Sequence, residues 1–162
     1  MRLLLAATLL ALMGPVQAQP GPCATPEHRQ FDFWVGDWRV MLPDGKHAGD
    51  NRIDRILDGC ALHENWTGAS GGRGFSYNAY DSLRKVWHQT WVDKQGTLLL
   101  LEGSFTDGRM VLQGVQGKTL NRITWTPNKD GTVRQVWEAS ADRGKTWQTA
   151  FDGLYRRKDS AT

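Results

Sequence analysis

The chain has 162 residues, 40% hydrophobic and 23% charged, with 18 Gly, 6 Pro and 8 Trp. That composition fits one globular domain with one core and excludes disordered, collagenous and coiled-coil chains. A formal net charge of +3, reduced by one when Arg2 leaves with the segment described next, is no nucleic-acid footprint.

Arg2, the apolar run Leu3 to Met13, the Gly14-Pro15 break and the small residues of Val16-Gln17-Ala18 read as a signal peptide (residues 1–18) cleaved before Gln19. The apolar run falls short of the roughly 20 residues that a membrane-crossing helix needs. The mature protein is therefore expected to be periplasmic or secreted, without membrane insertion. Residues 19–30 form a tether, with a short helical turn within Glu27 to Phe33, and residues 31–158 form the domain.

Cys23 and Cys60 are the two cysteines of the chain. In an oxidising compartment they are expected to pair, stabilising the fold by about 3 to 4 kcal/mol through loop closure. A redox or nucleophilic thiol is the alternative, but there is no C-x-x-C pair and neither cysteine has a histidine beside it.

Beyond the tether the pattern is strand and turn. Asp44-Gly45, Asp58-Gly59, Asp107-Gly108 and Asp130-Gly131 suit tight hairpins, because both central residues of such a turn need positive φ. Ten strands are expected: Trp38 to Leu42, Gly49 to Leu57, Cys60 to Thr67, Gly74 to Tyr80, Val86 to Val92, Thr97 to Phe105, Arg109 to Val115, Leu120 to Thr126, Val133 to Ser140 and Thr146 to Arg156.

A two-residue turn at Asp58-Gly59 fixes register outward from the turn, so Ile53 faces Glu64 and Arg55 faces Leu62. Ile53, Arg55, Leu57, Leu62, Glu64 and Trp66 then share the inner face. The turn at Asp107-Gly108 places Leu99, Leu101, Phe105, Met110 and Leu112 inward in the same way. Tryptophan parity adds Trp87, Gln89 and Trp91, then Ile123 and Trp125, then Val133, Gln135 and Trp137, then Trp147, Thr149 and Phe151. One apolar face per strand, two edges to hide and short hairpin connections favour an all-β, single antiparallel up-and-down barrel over a sandwich. Eight strands are about filled by their own side chains, so ten should leave interior space.

Phe31-Asp32-Phe33-Trp34-Val35-Gly36-Asp37-Trp38 resembles the opening of a family of exported bacterial proteins of uncharacterised function with a lipocalin-like barrel. The likeness continues through Asp58-Gly59-Cys60, Trp87-His88-Gln89-Thr90-Trp91-Val92-Asp93, Arg134-Gln135-Val136-Trp137-Glu138 and Phe151-Asp152-Gly153-Leu154-Tyr155. Gly36-Asp37-Trp38 also resembles the Gly-x-Trp of the wider calycin superfamily. That resemblance implies that Trp38 closes the barrel beneath a late arginine, with Arg156 the leading choice and Arg157 the alternative. Nitrobindin-like barrels hold haem through a late histidine, and this chain has none after His88; only Tyr155 or Met110 could substitute. No cofactor is expected.

Two readings compete for the inward polar residues. Arg55 and Glu64 either form a self-satisfied buried pair or, with Gln89 and Gln135, orient a ligand between walls of Trp66, Trp87, Trp91, Trp125 and Trp137. The histidines form no zinc-like set and are expected on the surface. Gly68 to Gly74 lacks a P-loop ending and is expected as a loop at the barrel mouth. No Ser-His-Asp or Cys-His constellation assembles. The expected function is binding of a small apolar or aromatic molecule inside the barrel. The alternatives are an enzyme using Glu64 as acid or base, and a filled barrel serving as a structural or interaction protein.

Overall fold

The computed structural model describes residues 21–158. The expected signal peptide (1–18) and residues 19 and 20 of the tether lie outside the described residues. Ten antiparallel strands close into an up-and-down barrel: β1 (Gly36–Met41), β2 (His47–Ile56), β3 (Ala61–Gly68), β4 (Arg73–Asp81), β5 (Val86–Asp93), β6 (Leu98–Thr106), β7 (Arg109–Gln116), β8 (Thr119–Pro127), β9 (Val133–Ser140) and β10 (Gln148–Arg157). Each strand pairs with its sequence neighbours, and β10 returns to β1 through Trp38↔Arg157 and Val40↔Tyr155. Closure leaves no sheet edge open to pairing.

The Asp58-Gly59 and Asp107-Gly108 turns set the register as the sequence predicts, whereas at Asp44-Gly45 and Asp130-Gly131 the Leu42 N–H donates to the Lys46 carbonyl and the Asn128 N–H to the Thr132 carbonyl, closing loops one residue longer than a two-residue turn. Asp58 (φ 54°, ψ 28°) and Gly59 (φ 92°) both lie in the left-handed region, and the Cys60 N–H donates to the Leu57 carbonyl at 3.0 Å. From that turn Arg55↔Leu62 and Ile53↔Glu64 follow. At Asp107-Gly108, Thr106↔Arg109 and Phe105↔Met110 follow in the same manner.

Before β1 the chain forms a short helix, α1 (Pro26–Arg29), and a 3-10 turn (Asp32–Trp34), two elements that each overlap the stretch Glu27 to Phe33 predicted to hold one helical turn and extend one residue beyond it. This segment packs into one end of the barrel. Phe31 stacks on Trp34 (ring centroids 4.9 Å apart) and meets Trp125 and Trp87 edge-on at 5.1 and 5.6 Å. Phe31, Trp34 and Trp38 are fully buried. The tether is fixed where it enters: Cys23 and Cys60 form a disulfide, and the Arg29 guanidinium donates to the carbonyls of Cys23 (2.8 Å) and Gly59. His28, predicted in a solvated loop, is instead buried in α1, edge-on to Tyr80 at 5.2 Å.

Several face assignments change at the barrel ends. Leu57 is 71% exposed, since it belongs to the turn rather than to β2. In β10 the register shifts between Thr149 and Phe151, which pair with consecutive residues Glu138 and Trp137 of β9. The extra residue, Ala150, is a bulge, and a bulge reverses parity. Phe151 thus faces inward as predicted, whereas Thr149 is exposed and Trp147 lies outside, with the Arg122 guanidinium 4.0 Å over its ring.

The arginine over Trp38 is Arg157, not Arg156: its guanidinium carbon lies 4.4 Å from the ring centroid. Parity explains the correction. Arg157 shares the phase of inward Tyr155 and sits opposite Trp38, while Arg156 sits opposite outward Arg39. The Trp38 indole N–H donates to the Trp34 carbonyl at 2.8 Å, coupling the barrel wall to the plug.

Two outcomes are expected. Replacing both cysteines by serine should lower unfolding free energy by about 2 to 4 kcal/mol for a loop of this span, read as a shift in urea midpoint. Arg157→Ala should cost about 0.5 to 1 kcal/mol through the lost cation–π contact, and Arg156→Ala less than about 0.5 kcal/mol; equal losses in the same urea titration would contradict the assignment.

Candidate functional site

The plug fills one end of the barrel and leaves a cavity of about 230 Å³ toward the other. The cavity is lined by Glu64, Trp66, Gln89, Trp91, Leu99, Ile123, Trp125, Gln135, Trp137, Ala150, Phe151 and Tyr155. Trp66, Trp91, Trp137 and Phe151 are partly exposed, whereas Trp125 is buried. Register places the first four near the loops β3–β4, β5–β6 and β9–β10, so this end is the mouth. The glycine-rich segment after β3 lies there, as predicted.

The aromatic rings leave the lumen open because they lie back on glycines. A Cβ added at Gly74 would sit 2.3 Å from Trp91 Cζ2, one at Gly49 would sit 2.7 Å from Trp66 Cη2, and one at Gly153 would sit 2.6 Å from Phe151 Cε1. Each ring therefore covers bare backbone on its own or a neighbouring strand instead of crossing the barrel. Cβ atoms do not approach that closely, so any larger residue at Gly74 would push Trp91 toward the lumen.

A hydrogen-bonded chain crosses the inner wall from β9 to β5. The Tyr155 hydroxyl donates to Gln135 Oε1. The Asn51 amide donates to Tyr155 Oη (3.2 Å) and to Glu64 Oε1 (2.7 Å), and the Ser76 hydroxyl donates to Glu64 Oε2 (2.6 Å). The Asn78 amide donates to Ser76 Oγ at 2.9 Å, and the Gln89 amide donates to Asn78 Oδ1 at 2.7 Å. Buried polar groups must find such partners. Two others on this side do not find one within the protein: Asn51 Oδ1 and the Trp125 indole N–H.

Burial pushes the Glu64 carboxyl up to about 7, against the lowering effect of the Ser76 and Asn51 hydrogen bonds. Burial likewise raises Tyr155 well above the ordinary phenol range, with the Glu64 charge adding to the effect. No group of three or more His, Cys, Asp or Glu suited to a metal occurs among the described residues.

Of the nine residues predicted to surround a ligand, seven line the cavity: Glu64, Trp66, Gln89, Trp91, Trp125, Gln135 and Trp137. Arg55 and Trp87 do not. Arg55 has the inward phase but lies at the plugged end, where its side chain is 43% exposed and pairs with Asp32 at 2.6 Å, not with Glu64. Trp87 lies beneath the tether, its indole N–H donating to Gln30 Oε1 at 3.2 Å. Four residues that sequence reasoning left out of the site complete its polar wall: Asn51, Ser76, Asn78 and Tyr155. Parity alone would have placed Asn51 with Ile53 and Tyr155 with Phe151. In β4 the usual signal is inverted, since Ser76 and Asn78 are buried while Phe75 and Tyr77 are 41% and 58% exposed and stack on outward His63.

No protein-family profile matches the chain, and no curated protein matches it.

A raised carboxyl binds more protons in the folded than in the unfolded state between its two values, so its contribution to stability is present below about pH 4.5 and is lost as pH rises toward about 7. The loss is on the order of 3 kcal/mol. Glu64→Gln should lack it, so the difference in urea midpoint between variant and parent should move in the variant's favour from pH 5 to pH 7.5; a constant difference would contradict a carboxyl titrating in the lumen.

Proposed function

We propose that this protein is an exported, lipocalin-like binding protein that holds a small apolar or aromatic molecule in its lumen without converting it. The observation that carries the reading is the cavity itself: about 230 Å³, walled by aromatic rings laid on glycines, with Glu64, Gln89, Gln135 and Tyr155 along one side. A mostly apolar concavity with a few fixed polar groups is the general form of a small-molecule site. The open lumen weighs against the filled-barrel alternative.

Export is supported by the sequence features of residues 1–18 and by the Cys23–Cys60 disulfide, which suits an oxidising compartment. The outer wall carries the ion pairs Arg84–Glu102, Arg122–Glu138 and Arg134–Asp152, a poor fit to a lipid-facing surface and a good one to water.

One observation favours a second reading, in which Glu64 acts as an acid or base on the bound molecule. A carboxyl held near neutrality is suited to proton transfer. Turnover abolished in Glu64→Gln with binding retained would select it over plain binding.

A panel of small aromatic molecules titrated into the protein should change tryptophan emission at one-to-one stoichiometry, since four indoles line the cavity. Gly74→Ala should weaken that binding at least tenfold by displacing Trp91, without loss of cooperative unfolding. Absence of any response across the panel, or full affinity in Gly74→Ala, would remove the lumen as the binding site.

A further inference from the structure

We infer that the lumen selects organic cations: an amine or alkylammonium head on a small aromatic or apolar body, seated against Glu64. The inference rests on the lumen being the ligand site and adds the charge of what enters it.

Among the described residues, Glu64 is the only carboxylate lining the cavity, and no Lys, Arg or His lines it. Its side-chain partners among the described residues are Asn51 and Ser76, both neutral. Donor directions nevertheless favour the charged form. Ser76 Oγ accepts from Asn78 at 2.9 Å and from Gln89 at 3.4 Å, which turns its own proton to Glu64 Oε2, while an Asn51 N–H occupies Oε1. A buried carboxylate so held, and without a counter-charge, is a strong demand for one.

The rest of the wall meets the same demand. Trp66, Trp91, Trp125, Trp137 and Phe151 surround the space, and aromatic faces attract cations through their quadrupoles, most strongly when water is displaced. An anion would meet both the Glu64 charge and those negative faces. A neutral body of the same shape would gain the apolar contact alone.

The test is a charge series on one small body, measured by isothermal titration calorimetry: 2-phenylethylamine, 2-phenylethanol and phenylacetate. At pH 8 the amine should bind at least tenfold more tightly than the alcohol, with phenylacetate weakest. Lowering the pH to 6 should weaken the amine by protonating Glu64 and leave the alcohol unchanged. Among the described residues, Tyr155 of β10 is the only other titratable group on this wall and stays protonated throughout; Asn51 of β2, Ser76 of β4 and Gln89 of β5 are neutral. In Glu64→Gln the amine's advantage should disappear while alcohol binding persists. The series in the parent protein and its pH dependence decide the matter even where that variant is unstable. Alcohol binding equal to or better than amine binding would overturn cation selection and leave the lumen as a site. Failure of all three to bind would overturn both.

Discussion

A sheet of ten strands closed on itself encloses more space than its inward side chains fill, and the rest of the molecule is organised by that surplus. One end is stopped by the chain itself. Phe31 and Trp34 enter from the tether, Trp38 packs beneath them and Arg157 covers Trp38. A segment this short cannot hold such a position by its own helical hydrogen bonds. It is held covalently by Cys23–Cys60 and electrostatically by Arg29 at the adjacent turn and by Arg55 on Asp32. The plug, the disulfide and the closing arginine thus act together, and the space left over lies at the opposite end.

That remaining space is shaped by two opposite uses of small and polar residues. Gly49, Gly74 and Gly153 let large rings lie flat against the wall, so a barrel rich in tryptophan still has a lumen. Asn51, Ser76 and Asn78 carry a continuous hydrogen-bonded path past Glu64, so a carboxyl can be buried without an arginine beside it. The cost of that burial appears as the raised carboxyl. It is a cost an apolar wall would not incur, and it falls on a residue that lines the lumen.

The strand order, the hairpins and most of the inner face were legible in the sequence because Asp-Gly turns fix register locally and alternation then propagates it. The β2–β3 pairing follows from Asp58-Gly59 alone. Legibility failed where period two was interrupted or where the partner came from outside the sheet. The Ala150 bulge has no sequence signal comparable to a turn, and it carried Trp147 to the outside. Arg55 has the right phase, yet Asp32 on the plug reaches it first, and no local pattern shows where the tether docks. Asn51 and Tyr155 share the inward parity of Ile53 and Phe151, so their place is set by alternation and not by hydropathy.

β4 is where hydrophobicity and structure disagree most. Its aromatic residues Phe75 and Tyr77 face water, and Ser76 and Asn78 face the lumen. A slip of one residue would turn both rings inward, bury more apolar surface and stopper the mouth, since adjacent strand positions point to opposite faces. The hollow therefore persists against a hydrophobic pull, kept by a serine and an asparagine whose cross-strand bonds to Glu64 and Gln89 exist in one alignment only. In this barrel the polar stitch along a single strand decides whether there is a vessel or a solid rod.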